Sequence, residues 1–140
     1  FLWLFAPAAL MVTNAKAQEK IPPGKWWRIP KVAEEMNLSD EEKQRLDDVS
    51  LTFRRKAVDL RSRLEKERIE LGVLFEKEQI DEAAVLAQFK KVESARSVLA
   101  LERFNVLLEV RKLLGRDRYE RLKAKFKQFR GKKPKNRPKK

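Results

Sequence analysis

Two arginines interrupt a long row of apolar residues in the second half of the chain. Arg96 and Arg103 lie seven residues apart, with Leu99 between them and Phe104 beside the second. Basic groups next to an apolar stripe suit an acidic, unfolded polypeptide, so we predict that they line a client-binding surface. The predicted surface consists of Arg54, Arg61, Arg96, Leu99, Arg103, Phe104, Leu108 and Arg111. In the alternative, the arginine stems cover a helix contact while their heads reach water or pair with glutamates of a facing helix.

The residue types that most enzymes and metal sites use are absent. The 140-residue chain has no Cys and no His, which removes thiolate chemistry, imidazole acid–base chemistry and the usual ligands of zinc, copper or nickel. Carboxylates do cluster at Glu65, Glu67 and Glu70 and at Asp47 and Asp48. Many Lys and Arg surround them, so they fit a solvated helix surface better than a site for a hard cation. We therefore expect no enzyme activity, no cofactor and no metal site.

The net charge of +13 is concentrated near the C-terminal end. Residues 131–140 contain no apolar residue other than proline and many like charges, so they are expected to form a disordered basic tail. We predict that this tail binds polyanions such as the head groups of an anionic membrane. The predicted contacts are Lys132, Lys133, Lys135, Arg137, Lys139 and Lys140. In the alternative, the tail only keeps the protein soluble.

The central part of the chain has the pattern of long helices. Residues 31–133 contain no proline, and proline is the residue that most strongly breaks a helix. Ser39 is the expected N-cap of the first long helix, because Glu42 follows three residues later in a capping-box arrangement. Apolar residues then repeat at steps of three and four over roughly 38 residues. This row includes Leu46, Val49, Phe53, Ala57, Leu60, Leu64, Leu71 and Leu74.

A second long helix is expected after Asp81, and Gly115 is expected to end it. Its predicted contact row is Val85, Phe89, Val92, Arg96, Leu99, Arg103, Val106, Val110 and Leu113. With a short helix from Pro30 through Met36 and another after Asp117, the predicted fold is all-α, an elongated four-helix hairpin with two long antiparallel helices and two short ones. A flat hairpin leaves an apolar side uncovered, so we also expect an antiparallel homodimer or a client-covered surface.

The N-terminal segment has the features of a secretory signal peptide. Residues 1–12 carry no charge, and Ala15-Lys16-Ala17 matches an A-x-A cleavage site. About 20 apolar residues are needed to span a bilayer, so a retained anchor is the weaker alternative. We predict a signal peptide at 1–17, an arm with a short helix at 18–38, a helical hairpin domain at 39–130 and the basic tail at 131–140. Trp26 and Trp27 in the arm are expected to cap the helical core; an exposed aromatic contact is the alternative.

The layout from about Ile29 to Arg130 resembles the Spy/CpxP family of periplasmic helical proteins, which also includes heavy-metal resistance proteins and sensors related to ZraP and CnrX. That family has two LTxxQ motifs, one opening each arm of a hairpin. Leu38-Ser39-Asp40-Glu41-Glu42 is similar to the first motif. Leu114-Gly115-Arg116-Asp117-Arg118 stands where the second would fall, and there only the leucine and the restart of a helix match. The resemblance implies a curved four-helix hairpin, often an antiparallel dimer, whose concave face holds unfolded proteins without ATP.

The favoured function is that of a periplasmic, ATP-independent chaperone-like protein that binds unfolded or misfolded envelope proteins. The alternative is a periplasmic heavy-metal resistance protein, or a sensor or regulator of an envelope stress response. The metal-binding branch of the family uses His, Met and carboxylate ligands, whereas this chain has no His and keeps only Met36 after the expected cleavage. Expected partners are envelope clients, a second copy of the chain and an anionic membrane surface at the tail, with no specific nucleic acid.

Overall fold

The computed structural model describes residues 24–131, and within that range it is helical with no β-strand. The expected all-α class is confirmed. A 3-10 helix at Trp26–Arg28 precedes three α-helices, which are α1 (Pro30–Glu35), α2 (Asp40–Phe75) and α3 (Glu82–Gly131). The expected signal peptide at 1–17 and the predicted polyanion-binding residues of the tail lie outside the described residues.

The first long helix, α2, begins as its sequence predicts. The backbone N–H of Glu42 donates to Ser39 Oγ at 3.1 Å, and the N–H of Ser39 donates to Glu42 Oε2 at 3.0 Å, which completes a capping box. Acidic residues occupy the first turn, where the helix dipole favours negative charge. Along α2, every member of the predicted apolar row is buried or half-buried, so the pattern identified the contact side of this helix correctly.

The helices α2 and α3 pack as an antiparallel hairpin. Arg45 pairs with Glu109, and Lys56 pairs with Glu102, so residue numbers rise along one helix as they fall along the other. Six residues connect the two helices, and Asp81 caps α3 by accepting a hydrogen bond from the N–H of Ala84 at 3.1 Å. The predicted hairpin and its helix starts are therefore present.

The backbone of α3 breaks at Gly115. This residue has a φ of 73° and a ψ of 176°, a conformation that side-chain-bearing residues rarely adopt. Helix resumes immediately afterwards and continues to Gly131. The break at Gly115 and the restart of helix after it are thus present as predicted. With the two segments counted together as α3, residues 24–131 contain three helices where the sequence predicts four.

Two hydrophobic clusters fill the hairpin at different levels. The capped-end core lies where α2 begins and combines aromatic and aliphatic side chains from the arm, α1, α2 and both segments of α3. Its buried members are Trp26, Trp27, Val32, Met36, Leu46, Leu107, Val110, Leu114, Tyr119 and Leu122. The hairpin core lies farther along and is built from α2 and α3 alone. Its buried members are Ala57, Leu64, Val92, Ala95 and Leu99.

The arm packs onto the capped end of the hairpin. Trp26 and Trp27 are only 1% and 6% exposed and meet edge to face with their ring centroids 5.5 Å apart. Pro30 occupies the first turn of α1, which suits its fixed φ, and α1 ends before Met36. Side chains this buried act as the expected cap of the helical core.

The helices within residues 24–131 include no candidate membrane span.

Candidate binding surface

Arg96 and Arg103 lie beside the contact row of α3 and not within it. The buried row passes through Val92, Ala95 and Leu99, whereas both arginine side chains are exposed. Each helical residue turns the side-chain direction by about 100°, so Arg96 projects well away from Ala95. The prediction that Arg96 and Arg103 belong to the contact row of α3 is wrong. Steps of three and four fit two neighbouring rows of this helix, and the packing of α2 selects between them.

Small residues lie at the contact between α2 and α3 in the hairpin core. Ala57 of α2 is fully buried at 0% exposure, and Ala95 of α3 is 6% exposed. Leu99, which the sequence places on the client surface, is 4% exposed and belongs to the same cluster. Its side chain therefore packs the hairpin core and contributes no exposed contact. The nearby arginines border this core and remain open to solvent.

The two long sides of the hairpin differ in charge. One side carries ion pairs between the helices, with Lys56 Nζ 3.3 Å from Glu102 Oε2 and an Arg45 nitrogen 4.0 Å from Glu109 Oε2. We call this the ion-pair side. The helical period places a set of arginines from both helices on the opposite side of the contact row. This arginine side is defined by Arg54, Arg61, Arg68, Arg96 and Arg103, all exposed.

Acidic partners are sparse on the arginine side. Arg96 pairs with Glu93 at 3.0 Å and Arg68 pairs with Glu65 at 3.9 Å, each within its own helix. No carboxylate in residues 24–131 lies within 4.0 Å of the other three arginines of this side. In the expected alternative, the arginine heads reach water or pair with glutamates of the facing helix; that pairing is not formed there, and the heads are exposed to water. The side therefore presents positive charge to solvent.

Aromatic side chains are exposed near the loop end of the arginine side. Phe75, the last residue of α2, is 57% exposed, and Phe89 of α3 is 47% exposed. Their helical positions direct both rings to the same side as Arg61 and Arg96. Basic and apolar groups thus share one accessible surface, with the aromatic rings toward its loop end.

Phe104 and Leu108 lie on a different surface from the arginines. Together with Leu101 they follow steps of three and four and point away from α2, because the contact row of α3 lies on the opposite side of the helix. Their exposures are 58% for Leu101, 57% for Phe104 and 40% for Leu108. We call this the outer face of α3. Nearby, Arg111 lies over the Tyr119 ring, with Cζ 5.8 Å from its centroid. The eight predicted residues therefore divide between a core, the arginine side and the outer face.

Arg118 links the start of α2 to the break in α3. Its Nη2 donates to Glu42 Oε1 at 2.7 Å and its Nη1 donates to Glu42 Oε2 at 3.0 Å, a bidentate ion pair. Further N–H groups of Arg118 donate to the carbonyl oxygens of Met36, Asn37, Leu113 and Leu114. The Arg118 guanidinium holds the pKa of Glu42 below its usual range, despite partial burial that acts in the opposite direction.

The two five-residue motifs described above meet at this point. Leu38 packs against the capped-end core, of which Leu114 is a buried member. The last residues of the two motifs, Glu42 and Arg118, form the bidentate pair. The sequence reasoning missed this contact. A usable signal was present, since the fifth positions of the two motifs carry opposite charges.

Asp47 fastens the arm to α2. Its Oδ1 accepts a hydrogen bond from Trp27 Nε1 at 2.9 Å and lies 3.2 Å from Lys25 Nζ. Its Oδ2 accepts from Arg28 Nε at 3.0 Å and also from Arg28 Nη2. The Arg28 guanidinium, aided by the Trp27 N–H, holds the pKa of Asp47 well below its usual range. A second link connects Lys125 of α3 with Glu35 of α1.

The carboxylates of the described region do not fit a metal site. No group of three or more Asp or Glu residues there is placed to hold a metal ion. Asp47 is held by the arm, and Glu67 accepts a hydrogen bond from Gln88 Nε2 at 2.7 Å. Glu65 pairs with Arg68. Because cations and amides already use these oxygens, and the chain has no His or Cys, the donor set does not suit a transition metal.

Comparison with known proteins identifies the family. The family model described as heavy-metal resistance matches residues 2–121, and this family is related to the Spy/CpxP-like helical proteins. No curated protein and no solved structure matches the chain. The family match covers most of the chain and agrees with the helical hairpin, so the chain belongs to the heavy-metal resistance family.

Proposed function

We propose that this protein is an ATP-independent holding chaperone of the periplasm, which binds unfolded or misfolded envelope proteins on the arginine side of its hairpin. It acts by binding and not by catalysis. The observation that carries the proposal is the segregation of charge: exposed arginines of α2 and α3 share one side, while cross-helix ion pairs occupy the other. The family match supports a protein of the heavy-metal resistance type.

An unfolded envelope protein exposes what this surface complements. Its apolar side chains match Phe75 and Phe89. Its carboxylates match Arg54, Arg61 and Arg103, which have no carboxylate within 4.0 Å in the described region. Many weak contacts spread along an open surface hold a changing client without requiring one bound shape. The positive field also speeds the encounter with acidic chains.

The test is suppression of aggregation by an acidic, chemically unfolded client, measured by light scattering without nucleotide. We expect the native protein to suppress aggregation and Arg96→Glu/Arg103→Glu to lose much of that activity. The matched control is Arg63→Glu/Lys91→Glu, which makes the same change in net charge at exposed positions on the ion-pair side. Circular dichroism of all three proteins checks that the helices remain intact.

The comparison of the two double variants decides the outcome. Loss of activity only in the Arg96→Glu/Arg103→Glu protein supports a localised client surface. Equal loss in both variants would mean that net charge, and not the arginine side, determines client holding. Full activity in the Arg96→Glu/Arg103→Glu protein would remove this side from the site.

Direct metal binding is the second candidate function, because the family model is that of heavy-metal resistance. The described carboxylates do not fit a transition-metal site, so we expect zinc, copper or nickel to leave the melting temperature unchanged. A ligand present at a hundredfold excess over its Kd would stabilise the folded state by about 2.7 kcal/mol. A saturable calorimetric signal together with a higher melting temperature would favour the metal function.

A further inference from the structure

The outer face of α3 is an apolar surface that the described chain leaves uncovered. Leu101, Phe104 and Leu108 are between 40% and 58% exposed, whereas Leu99 and Val110 on the opposite side of the helix are 4% and 2% exposed. The arm and α1 cover the capped end of the hairpin and do not bury these three side chains. This part of α3 thus has two apolar sides. One packs on α2, and the other faces solvent.

The charges around the outer face are mostly positive. From Lys90 to Lys112 the acidic residues are Glu93, which pairs with Arg96, and Glu102 and Glu109, which pair with cations on the ion-pair side. The cations that border the apolar stripe are Arg111 and Lys112 at one end, where Lys112 also pairs with Glu109, and Lys90 toward the other. An exposed apolar stripe with mainly basic borders is the pattern of a helix that binds anionic bilayer surfaces.

A second copy of the chain complements this face poorly. In a twofold contact the same patch meets itself, so its charges must find opposite charges on the same patch. Three cations border the outer face, and the carboxylate at its edge, Glu93, is already paired with Arg96, so self-association would bring mainly like charges together. Anionic lipid head groups supply the missing negative charge, and the acyl boundary accepts the leucines and the phenylalanine.

We propose that the outer face of α3 docks onto an anionic lipid bilayer, with α3 lying parallel to the membrane plane. Leu101, Phe104 and Leu108 enter the boundary between head groups and acyl chains, and Lys90, Arg111 and Lys112 meet lipid phosphates. The arginine side occupies another part of the hairpin circumference and stays open to clients. This docking rests on the outer face alone and is independent of the proposed chaperone activity.

The absence of cysteine allows a site-specific test. Phe104→Cys and, as a control on the outward side of α2, Ser62→Cys are each labelled with an environment-sensitive NBD dye. Vesicles of phosphatidylcholine with and without phosphatidylglycerol are added to the purified full chain. We expect a blue shift and a gain in NBD emission at position 104 with anionic vesicles only, and no change at position 62. The label reports on its own position, so binding through either end of the chain does not imitate this result.

A pair of apolar variants provides the second measurement. Leu101→Gln/Leu108→Gln should lose the NBD response of Phe104→Cys, while Leu51→Gln/Val58→Gln, which changes exposed residues of α2, should retain it. No response at position 104, or equal responses at positions 104 and 62, would overturn the proposal. A lipid-free response that grows with protein concentration and coincides with a dimer in sedimentation would assign the face to a second copy instead.

Discussion

The capped end and the body of the hairpin use the same two helices in different ways. At the capped end, the arm and the distal segment of α3 add to α2 and α3, and aromatic residues such as Trp26 and Tyr119 are buried. In the body, α2 and α3 have only each other, and the buried residues form one narrow row around Ala57. The capped end also has more polar contacts, since Arg118 and Asp47, which each form several hydrogen bonds, both belong to it.

The difference shows what a two-helix layer can and cannot bury. Two helices in contact cover one stripe on each, so further apolar residues of the body remain at the surface. At the capped end, additional segments enclose the side chains that the hairpin alone would expose. Stability is therefore expected to reside mainly at the capped end, and binding surfaces are expected in the body.

The largest effect should come from removing the central tryptophan of the capped end. Trp26→Ala deletes a side chain that is 1% exposed, and we expect a loss of about 3–5 kcal/mol in the free energy of unfolding. Chemical denaturation followed by circular dichroism measures it. In residues 24–131, Trp26 Nε1 has no hydrogen-bond partner, so Trp26→Phe should cost much less. A Trp26→Ala protein as stable as the native one would contradict the assignment of stability to the capped end.

The next effect tests the link between the two five-residue motifs. Arg118→Ala leaves the half-buried Glu42 carboxylate without its bidentate partner. We expect the free energy of unfolding to fall by about 2–3 kcal/mol. The control is Arg116→Ala, an exposed residue of the same segment, which should change stability little. Denaturant midpoints compare the two variants. Equal midpoints would show that the Arg118 network adds nothing to the capped end.

Acidification should weaken the capped end before the body. The pKa values of Asp47 and Glu42 lie below their usual range in the folded state. Their contribution is complete above the unfolded pKa of about 4 and is lost as the pH falls through the lower folded values. We expect stability to fall below about pH 4. Melting temperatures of native protein and Asp47→Asn between neutral and acidic pH measure this.

The Asp47→Asn variant should cost about 1–2 kcal/mol at neutral pH, because it removes charge from the contact with Arg28 and Lys25. Its stability should also depend less steeply on pH in the acid range. Asp59→Asn, an exposed change on α2, is the control. If both variants followed the native pH curve, Asp47 would not hold the arm in place.

The smallest effect concerns the one buried polar side chain among the described residues of the body. Gln88 is 8% exposed and donates to the backbone carbonyl of Glu67 at 2.9 Å and to its carboxylate. Gln88→Ala should lower the free energy of unfolding by about 1 kcal/mol, which is near the net contribution of a hydrogen bond. The exposed loop variant Gln79→Ala is the control in the same denaturation assay. A loss as large as that of Arg118→Ala would contradict the assignment of most polar stabilisation to the capped end.

The sequence alone determined the elements whose causes are local. The capping box at Ser39 specified where α2 begins, and the spacing of apolar residues specified its contact side, because a cap and a helical period depend only on neighbouring residues. The left-handed conformation at Gly115 likewise followed from residue type. These predictions are confirmed in the described region, where Gly115 interrupts α3.

The residues that meet across the hairpin depend on tertiary packing and not on local sequence. Two neighbouring rows of α3 satisfy the same spacing, and packing against the small side chain of Ala57 buries Leu99 while leaving Arg96 and Arg103 exposed. The pairing of Glu42 with Arg118, 76 residues apart, depends on the folded path of the whole chain. Period and propensity act over a few residues, whereas contact partners and exposed surfaces are set by elements that are distant in sequence and adjacent in space.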